Sequence, residues 1–321
     1  MKFQSFLSNL LEGYVAYRLA SGRTSSSYIK NVTLFDHHCA RQYPQAKGLS
    51  QAMVDEWCRQ RNTECNNSCI SRIYPILNFL CYANERELIN ISIPKAPKPV
   101  PRTYIPHAFS REELKIFFCA CDTLKTRTGL SGDIRKLTIP VFFRLLYSSG
   151  MRTTEARLLR TENVNLENGV VNIRYSKGIN QHFVVLHDTM LGLMKRYDAS
   201  VSKLIGNRIY FFPSSSNGGY SDRWVTYFFQ KLWYRNNKAC AIAYELRHHY
   251  AVENINQWIG KGLNAHMKLL SLSKSMGHSD IESTARYYSL VPGLSEIIES
   301  KTNNSFNELI PNITSHEKDK Q

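Results

Sequence analysis

Hydrophobic residues recur every three or four positions through much of residues 1–93, a spacing that places them on one face of a helix. Ser25, Ser26 and Ser27 follow the first interruption of this pattern and are suited to cap a second helix. The apolar positions are Phe6, Leu10, Leu11, Tyr14, Val15 and Leu19, then Tyr28, Val32, Leu34 and Phe35, then segments within 53–61 and 70–83. The pattern predicts a small helical unit.

A proline-rich segment, residues 94–108, separates this unit from the rest of the chain. Four of the eleven prolines fall within eight of its residues, so the segment is stiff, extended and unable to form a helix. Lys95, Lys98 and Arg102 make it positively charged. Two interpretations stay open: a solvated spacer between domains, or a strap that lies along a phosphate backbone and binds DNA.

Residues 109–300 begin with helical patterns. Ser110 and Glu113 have the spacing of a capping box, which predicts the start of a helix. A longer apolar helix is predicted from about Leu137 to Ser149, and Gly150 is suited to end it.

The apolar period then changes from 3.6 to 2, the period of a strand. Residues 170–175 and 181–186 flank a polar connection and predict a β-hairpin. Most of the remainder is helical in pattern, and residues 301–321 are a polar C-terminal tail. The expected fold is mainly α with a small β-sheet, a helical N-terminal domain followed by an α+β domain.

The net charge of the chain indicates which kind of partner it binds. Its 321 residues include 41 Lys and Arg against 26 Asp and Glu, a formal net charge of +15. This excess favours a polyanionic partner, and nucleic acid is favoured over a membrane because no lipidation signal or basic amphipathic anchor occurs. No stretch reaches the roughly 20 apolar residues of a membrane span, and no signal peptide is visible. We expect a cytoplasmic, nucleoid-associated protein.

The cysteines predict no metal site. Eight are spread along the chain, and two close pairs resemble zinc half-sites, Cys65/Cys69 and Cys119/Cys121. Neither pair has a second Cys or His pair at a matching spacing. We expect reduced thiols and neither metal nor cofactor.

Two arginine clusters carry possible chemistry. Arg152 follows the predicted helix stop, and Glu155 lies three residues later, where it can steady the guanidinium group. Arg247 is followed by His248 and His249. Adjacent histidines point about 100° apart on a helix, so they do not readily chelate one metal ion. Taken singly, both clusters are compatible with an ordinary structural role.

A third cluster, from His278 to Tyr287, completes a set that resembles the tyrosine recombinase (phage integrase) family over about residues 110–290. The motifs occur in the family's order: GMRTTEARLL with Arg152 and Glu155, YSKGINQHFVVL with Lys177, YELRHHYA with Arg247, and GHSDIESTARY with His278 and Tyr287. The resemblance implies a catalytic domain over residues 109–300. It also implies that residues 1–93 form a core-type, SAM-like DNA-binding domain.

The resemblance assigns roles to these residues. Tyr287 is the implied nucleophile, and Lys177, between the two predicted strands, is the implied general acid. Arg152, Arg247 and His278 are implied to hold the scissile phosphate, with Glu155 and His248 in supporting roles.

Two features depart from the family pattern. The position three residues before Arg247 is usually histidine and is Tyr244 here, whose hydroxyl can hydrogen-bond a phosphate oxygen but carries no positive charge at neutral pH. The stretch from Arg247 to His278 is longer than usual and is interpreted as an inserted loop or a helix extension. Tyr288 is a competing nucleophile, but the nine-residue spacing from His278 selects Tyr287.

The implied reaction is attack on a DNA phosphodiester. Two guanidinium groups supply fixed positive charge and forked donors to the anionic transition state. A phenol, with an ordinary pKa of about 10, leaves far more readily than an alcohol, so a 3′-phosphotyrosine stores the bond for rejoining.

Double-stranded DNA is the implied partner, bound by a homotetramer on two DNA sites or by a hetero-assembly with related recombinases. Leu294, Ile297 and Ile298 form an apolar strip that packs either on a neighbouring protomer or on its own domain. The expected function is site-specific recombination that serves integration or excision of a mobile element. Two alternatives stay open: DNA relaxation like that of a type IB topoisomerase, and a catalytically impaired accessory DNA-binding subunit.

Overall fold

The fold comes from a computed structural model that describes residues 3–22, 26–101, 104–174, 181–258, 265–278 and 280–287. The chain divides into two compact units, Met1–Tyr104 and Ile105–Gln321. The predicted features outside the described residues are Ser25, Arg102, Lys177, Tyr288, the apolar strip of Leu294, Ile297 and Ile298, and the tail 301–321. No described helix is both long and apolar enough to cross a membrane.

The described part of the first unit is helical, as its apolar period predicts. Its helices are α1 (Ser8–Ala20), α2 (Ser26–Gln42), α3 (Gln51–Cys58) and α4 (Asn66–Asn84). Leu11, Tyr14, Phe35 and Phe79 meet in one core with almost no exposed surface. Burial of these four side chains against one another holds the helices together.

Side-chain amides of the first unit hold the backbone of residues 92–100, a stretch that includes the beginning of the proline-rich segment. Gln51 accepts from the Ser92 N–H and donates to the Ser92 carbonyl, over 2.9 and 3.0 Å. Asn67 pairs in the same two-point way with Val100, over 3.0 and 2.7 Å. The prolines keep this backbone out of a helix, so its N–H and carbonyl groups need other partners. Each side-chain amide forms the two hydrogen bonds that a neighbouring strand would otherwise form. This stretch is therefore tethered to the first unit by hydrogen bonds although most of its side chains are exposed, and its sequence did not predict the tethers.

The second unit begins with two long helices, α5 (Arg111–Asp122) and α6 (Leu130–Ser149). The predicted capping box is present: Ser110 Oγ accepts from the Glu113 N–H, and the Glu113 carboxylate accepts from the Ser110 N–H. Helix α6 ends at Gly150, whose φ of +63° favours glycine. The predicted start of this helix at Leu137 is wrong, because its first turns are mostly polar and charged and contain only two apolar residues, Leu130 and Ile134, too few to mark a helix.

A small antiparallel sheet, a short 3-10 helix (Thr161–Asn163) and six further α-helices complete the described elements of this unit. The strands pair in the order β1 (Val164–Asn165), β2 (Val170–Ile173) and β3 (His182–Val185). The helices are α7 (Thr153–Arg157), α8 (Asp188–Val201), α9 (Asp222–Trp233), α10 (Glu245–Trp258), α11 (Ala265–Ser275) and α12 (Glu282–Ala285). Strands β2 and β3 form the predicted hairpin, with Val170 opposite Val185. Strand β1 was not predicted because two residues are too short to show an alternation. The expected mainly α fold with a small sheet is confirmed.

Candidate active site

Arg247 is the centre of the site. It lies in the first turn of α10 and is 1% exposed. Its Nη1 donates to the Gly150 carbonyl over 2.6 Å, and its Nη2 donates to the Met276 carbonyl over 2.7 Å. These carbonyls lie at the C-terminal ends of α6 and α11, where backbone acceptors lack helical partners and the helix dipole is negative. Two helix ends thus fix one guanidinium group.

The charge of Arg247 is held without being neutralised. Among the described residues it forms no ion pair, and its buried Nε has no hydrogen-bond partner. Burial lowers its pKa from the ordinary value, and the positive charge of Arg152 lowers it further. A guanidinium group is so weakly acidic that it still remains charged at neutral pH. This is the arrangement that an anionic ligand would complete.

Arg152 lies beside Arg247 at the start of α7. Its backbone N–H and its Nη1 both donate to the carboxylate of Glu155, over 2.8 and 2.6 Å, and its Nη2 donates to the Gly277 carbonyl over 2.8 Å. Glu155 is 3% exposed, so its carboxylate is directed inward but is held by Arg152. A carboxylate fixed in this way orients the guanidinium group, which is the role the sequence predicted for it.

His278 joins the arginines through its ring. Arg247 Nη2 donates to His278 Nε2 over 2.8 Å, and His278 Nδ1 lies 2.6 Å from Thr284 Oγ1. Burial, then the charges of Arg247 and Arg152, lower the pKa of His278 to about 4. The ring is therefore neutral at pH 7, and its proton is on Nδ1 because Nε2 accepts from Arg247. Motif spacing did not reveal Thr284, although it lies within the same sequence box.

Tyr287 follows α12 and lies against the same histidine. It is 6% exposed and packs in a small core on α10 and α11. Its ring lies nearly parallel to that of His278, with centroids 6.4 Å apart, and its hydroxyl is 3.0 Å from His248 Nδ1. Burial raises its pKa, against the lowering effect of the Arg247 charge. The predicted nucleophile therefore lies beside the predicted phosphate-binding groups.

The residues around Arg247 point in different directions. Tyr244 is 39% exposed, and its ring meets His248 edge-on with centroids 5.1 Å apart. His249 instead stacks on Tyr147 with centroids 5.5 Å apart. The two adjacent histidines therefore face different neighbours, as helical geometry requires. Of the pair, His248 belongs to the site.

Other predicted site residues lie elsewhere. Lys95 and Lys98 are exposed on the proline-rich segment of the first unit. Lys177, Arg102 and Tyr288 lie outside the described residues. Within the ranges that the structure describes, no group of three or more His, Cys, Asp and Glu is placed to hold a metal ion.

The sequence of this chain matches a known protein family and several known proteins. The profile of the phage integrase family matches residues 111–292. Tyrosine recombinase XerD of Rickettsia prowazekii (strain Madrid E) is 25% identical over 304 residues, covering 88% of this chain and 91% of that protein.

Solved structures share the fold at low identity. The Tn1549 transposon integrase in complex with transposon right end DNA has a TM-score of 0.61 at 11% identity, covering 91% of this chain and 98% of its own. The XerH site-specific recombinase bound to palindromic difH substrate, a post-cleavage complex, has a TM-score of 0.60 at 15% identity. That match covers 86% of this chain and 78% of the XerH chain.

Proposed function

The chain belongs to the phage integrase family, and from that premise we propose that it is a site-specific tyrosine recombinase. It cuts and rejoins DNA strands through a 3′-phosphotyrosine intermediate. The observation that carries the proposal is a buried tyrosine, Tyr287, beside the charged but unpaired guanidinium group of Arg247. Among the described residues of the site, two arginines face one carboxylate, that of Glu155, and a phosphodiester would balance the remaining positive charge.

Arg152 and Arg247 bind the non-bridging oxygens of the scissile phosphate. Carbonyls at helix ends hold both guanidinium groups in place before the substrate arrives, so little reorganisation is needed in the transition state. His278 is neutral and fixed between Arg247 and Thr284, so it orients Arg247 and lines the phosphate site. Among the described residues of the site, the positive charge comes from the two arginines.

Tyr287 attacks the phosphorus, and the bond from phosphorus to the 5′-oxygen breaks. The 5′-oxygen takes a proton from a general acid, for which the family resemblance offers Lys177. The phenolic ester conserves the phosphodiester bond energy, so a 5′-hydroxyl from the partner strand reverses the attack and seals the new junction. Tyr244, three residues before Arg247, contributes a hydroxyl in place of an imidazole.

Double-stranded DNA is the proposed partner. The net charge of +15 supports a polyanionic ligand. The Tn1549 integrase and XerH structures are also complexes with DNA or a difH substrate. The helical residues 1–93, with Lys95, Lys98 and Arg102 beyond them, bind the duplex outside the cleavage site, and 109–300 cleave it. The assembly is a homotetramer on two sites or a hetero-assembly with related recombinases, and its role is integration or excision of a mobile element.

Covalent trapping tests this proposal. Fragmented DNA of the genome that encodes the chain is incubated with the protein, denatured with detergent, and the protein-linked fragments are sequenced to define the site. A nicked duplex carrying that site then traps the intermediate. We expect an adduct with the wild type and with Tyr288→Phe, and none with Tyr287→Phe.

The other outcomes identify the alternatives. Absence of any adduct from the genomic DNA favours an accessory DNA-binding subunit. Relaxation of supercoiled DNA by the monomer, with no recombinant product on a two-site plasmid, favours an activity like that of a type IB topoisomerase.

A further inference from the structure

Attack by Tyr287 requires a group that takes the phenolic proton, and the charged arginines cannot accept it. Burial raises the pKa of the Tyr287 phenol, so the hydroxyl is protonated at neutral pH. An acceptor within about 3.2 Å of the oxygen is required for proton transfer in the transition state.

His248 meets that requirement. Its Nδ1 lies 3.0 Å from the Tyr287 hydroxyl, and their rings are tilted at 54° with centroids 5.4 Å apart. Burial and the neighbouring charge of Arg247 lower the pKa of His248, against the effect of Glu245. The ring is therefore neutral at pH 7. With its proton on Nε2, Nδ1 accepts from the phenol.

The neighbouring groups are less suited. Both ring nitrogens of His278 are engaged, by Arg247 and by Thr284. The Glu155 carboxylate is bound by the backbone and side chain of Arg152. Tyr244, whose ring meets the edge of His248, has no basic nitrogen.

We propose that His248 is the general base that takes the proton of Tyr287 during cleavage. The inference rests on the proposed recombinase function. As the Oη–phosphorus bond forms and the bond to the 5′-oxygen breaks, the phenolic proton moves to His248 Nδ1. The 5′-oxygen is protonated separately by the general acid. Rejoining runs in reverse, and His248 returns the proton to Tyr287.

His248→Asn separates proton transfer from positioning. The asparagine side chain can place a hydrogen-bonding atom where Nδ1 lies, but it does not take a proton at neutral pH. We expect His248→Asn and His248→Ala both to slow adduct formation about 10²–10⁴-fold, the usual range for general base catalysis. His249→Asn, the same change at the next position of α10, serves as the matched control and should stay within about threefold of the wild type. Thermal unfolding of each variant identifies loss of structure.

A modified substrate separates the base from the acid. A 5′-bridging sulfur in place of the 5′-oxygen leaves without protonation, so it should restore a Lys177→Ala variant and leave the His248→Asn defect unchanged. Restoration of His248→Asn by this substrate would show that His248 serves the leaving group and would overturn the assignment.

The pH profile gives an independent readout. His248 faces Tyr287 and Tyr244, with the charges of Glu245 and Arg247 on its own helix. Burial lowers the pKa of His248, so its protonation should slow the wild type only at a pH below the ordinary histidine range, and this acidic limb should be absent in His248→Asn. Wild-type cleavage with an equally active, folded His248→Asn would refute the inference alone. Failure of the wild type to form any adduct would instead refute the proposed function.

Discussion

Both units of the molecule bury arginines, and Arg72 in the first unit and Arg247 in the second have different kinds of partner. Arg72 in α4 is 7% exposed and donates to both carboxylate oxygens of Glu64, over 2.6 and 2.8 Å. Burial acts to lower its pKa, but the carboxylate outweighs burial and the net shift is upward. Arg247 is 1% exposed and donates to two carbonyls and to His278, and both burial and Arg152 lower its pKa.

The difference separates a structural charge from a functional one. The Arg72–Glu64 pair is neutral as a whole and ties α4 to the segment before it, so it contributes to the stability of its own unit. Arg247 keeps a net charge in a buried place, which costs stability unless an anion arrives. Helix-end carbonyls, with their partial negative charge, reduce that cost without cancelling the charge.

Among the substitutions that compare the two buried arginines and their surroundings, Arg247→Met should have the largest effect. Loss of one preorganised donor to the transition state is expected to slow adduct formation about 10²–10³-fold, roughly 3–4 kcal/mol of barrier. The fold should survive, because the substitution removes an unpaired charge together with its hydrogen bonds. Adduct formation on the nicked duplex and unfolding in urea measure the two effects. Near-normal cleavage would remove Arg247 from the reaction.

Arg72→Met should show the opposite behaviour. It leaves the Glu64 carboxylate without its partner, and we expect a loss of about 3 kcal/mol in the free energy of unfolding. Cleavage by the folded fraction should be little changed. Adding Glu64→Gln should recover part of the lost stability, because the unpaired charge is then gone. If Arg72→Met is no less stable than Arg247→Met, the distinction between the two arginines is wrong.

Gly277→Ala tests the carbonyl that holds Arg152. The residue has a φ of +63°, and an added Cβ would lie 2.5 Å from ring atoms of His182. The strain should cost about 1–3 kcal/mol of stability and slow cleavage by displacing the carbonyl. Gly192→Ala is the matched control, since an added Cβ there meets nothing within 4 Å, and it should stabilise α8 by about 0.5–1 kcal/mol. Equal behaviour of the two variants would contradict the packing described.

His278 should give the smallest effect, on the pH dependence of stability. Its pKa is about 4 when folded, below the ordinary value of 6.5, so between these values the unfolded chain binds a proton that the folded chain does not. The free energy of unfolding therefore falls as pH falls through this window. His278→Asn should flatten the slope above about pH 4.5, where carboxylates contribute little. An unchanged slope in urea unfolding would exclude His278 as its source.

Sequence patterns predicted the helices and strands whose apolar residues recur at a regular spacing. The helical period identified the first unit, and the change to period 2 identified the β2–β3 hairpin. The early turns of α6 contain too few apolar residues, and β1 too few residues, to mark a period, so both were missed.

Sequence motifs predicted the side chains of the site but not the backbone carbonyls that hold them. Motif spacing selected Arg152, Arg247, His278 and Tyr287, which the structure brings together. The carbonyls of Gly150 and Met276 could not be predicted, because any residue supplies the same backbone oxygen and only the fold decides where it points. The hydrogen bonds from side-chain amides to Ser92 and Val100 were missed for a similar reason, since they join residues remote in sequence.

The most direct test is to identify the amino acid that becomes linked to DNA. The trapped adduct is digested with nuclease and trypsin, and the peptides between Lys274 and Lys301, which hold both Tyr287 and Tyr288, are fragmented in a mass spectrometer. We expect a nucleotide attached through phosphate to Tyr287. A nucleotide on Tyr288, or on any residue remote from Arg247, would contradict this assignment.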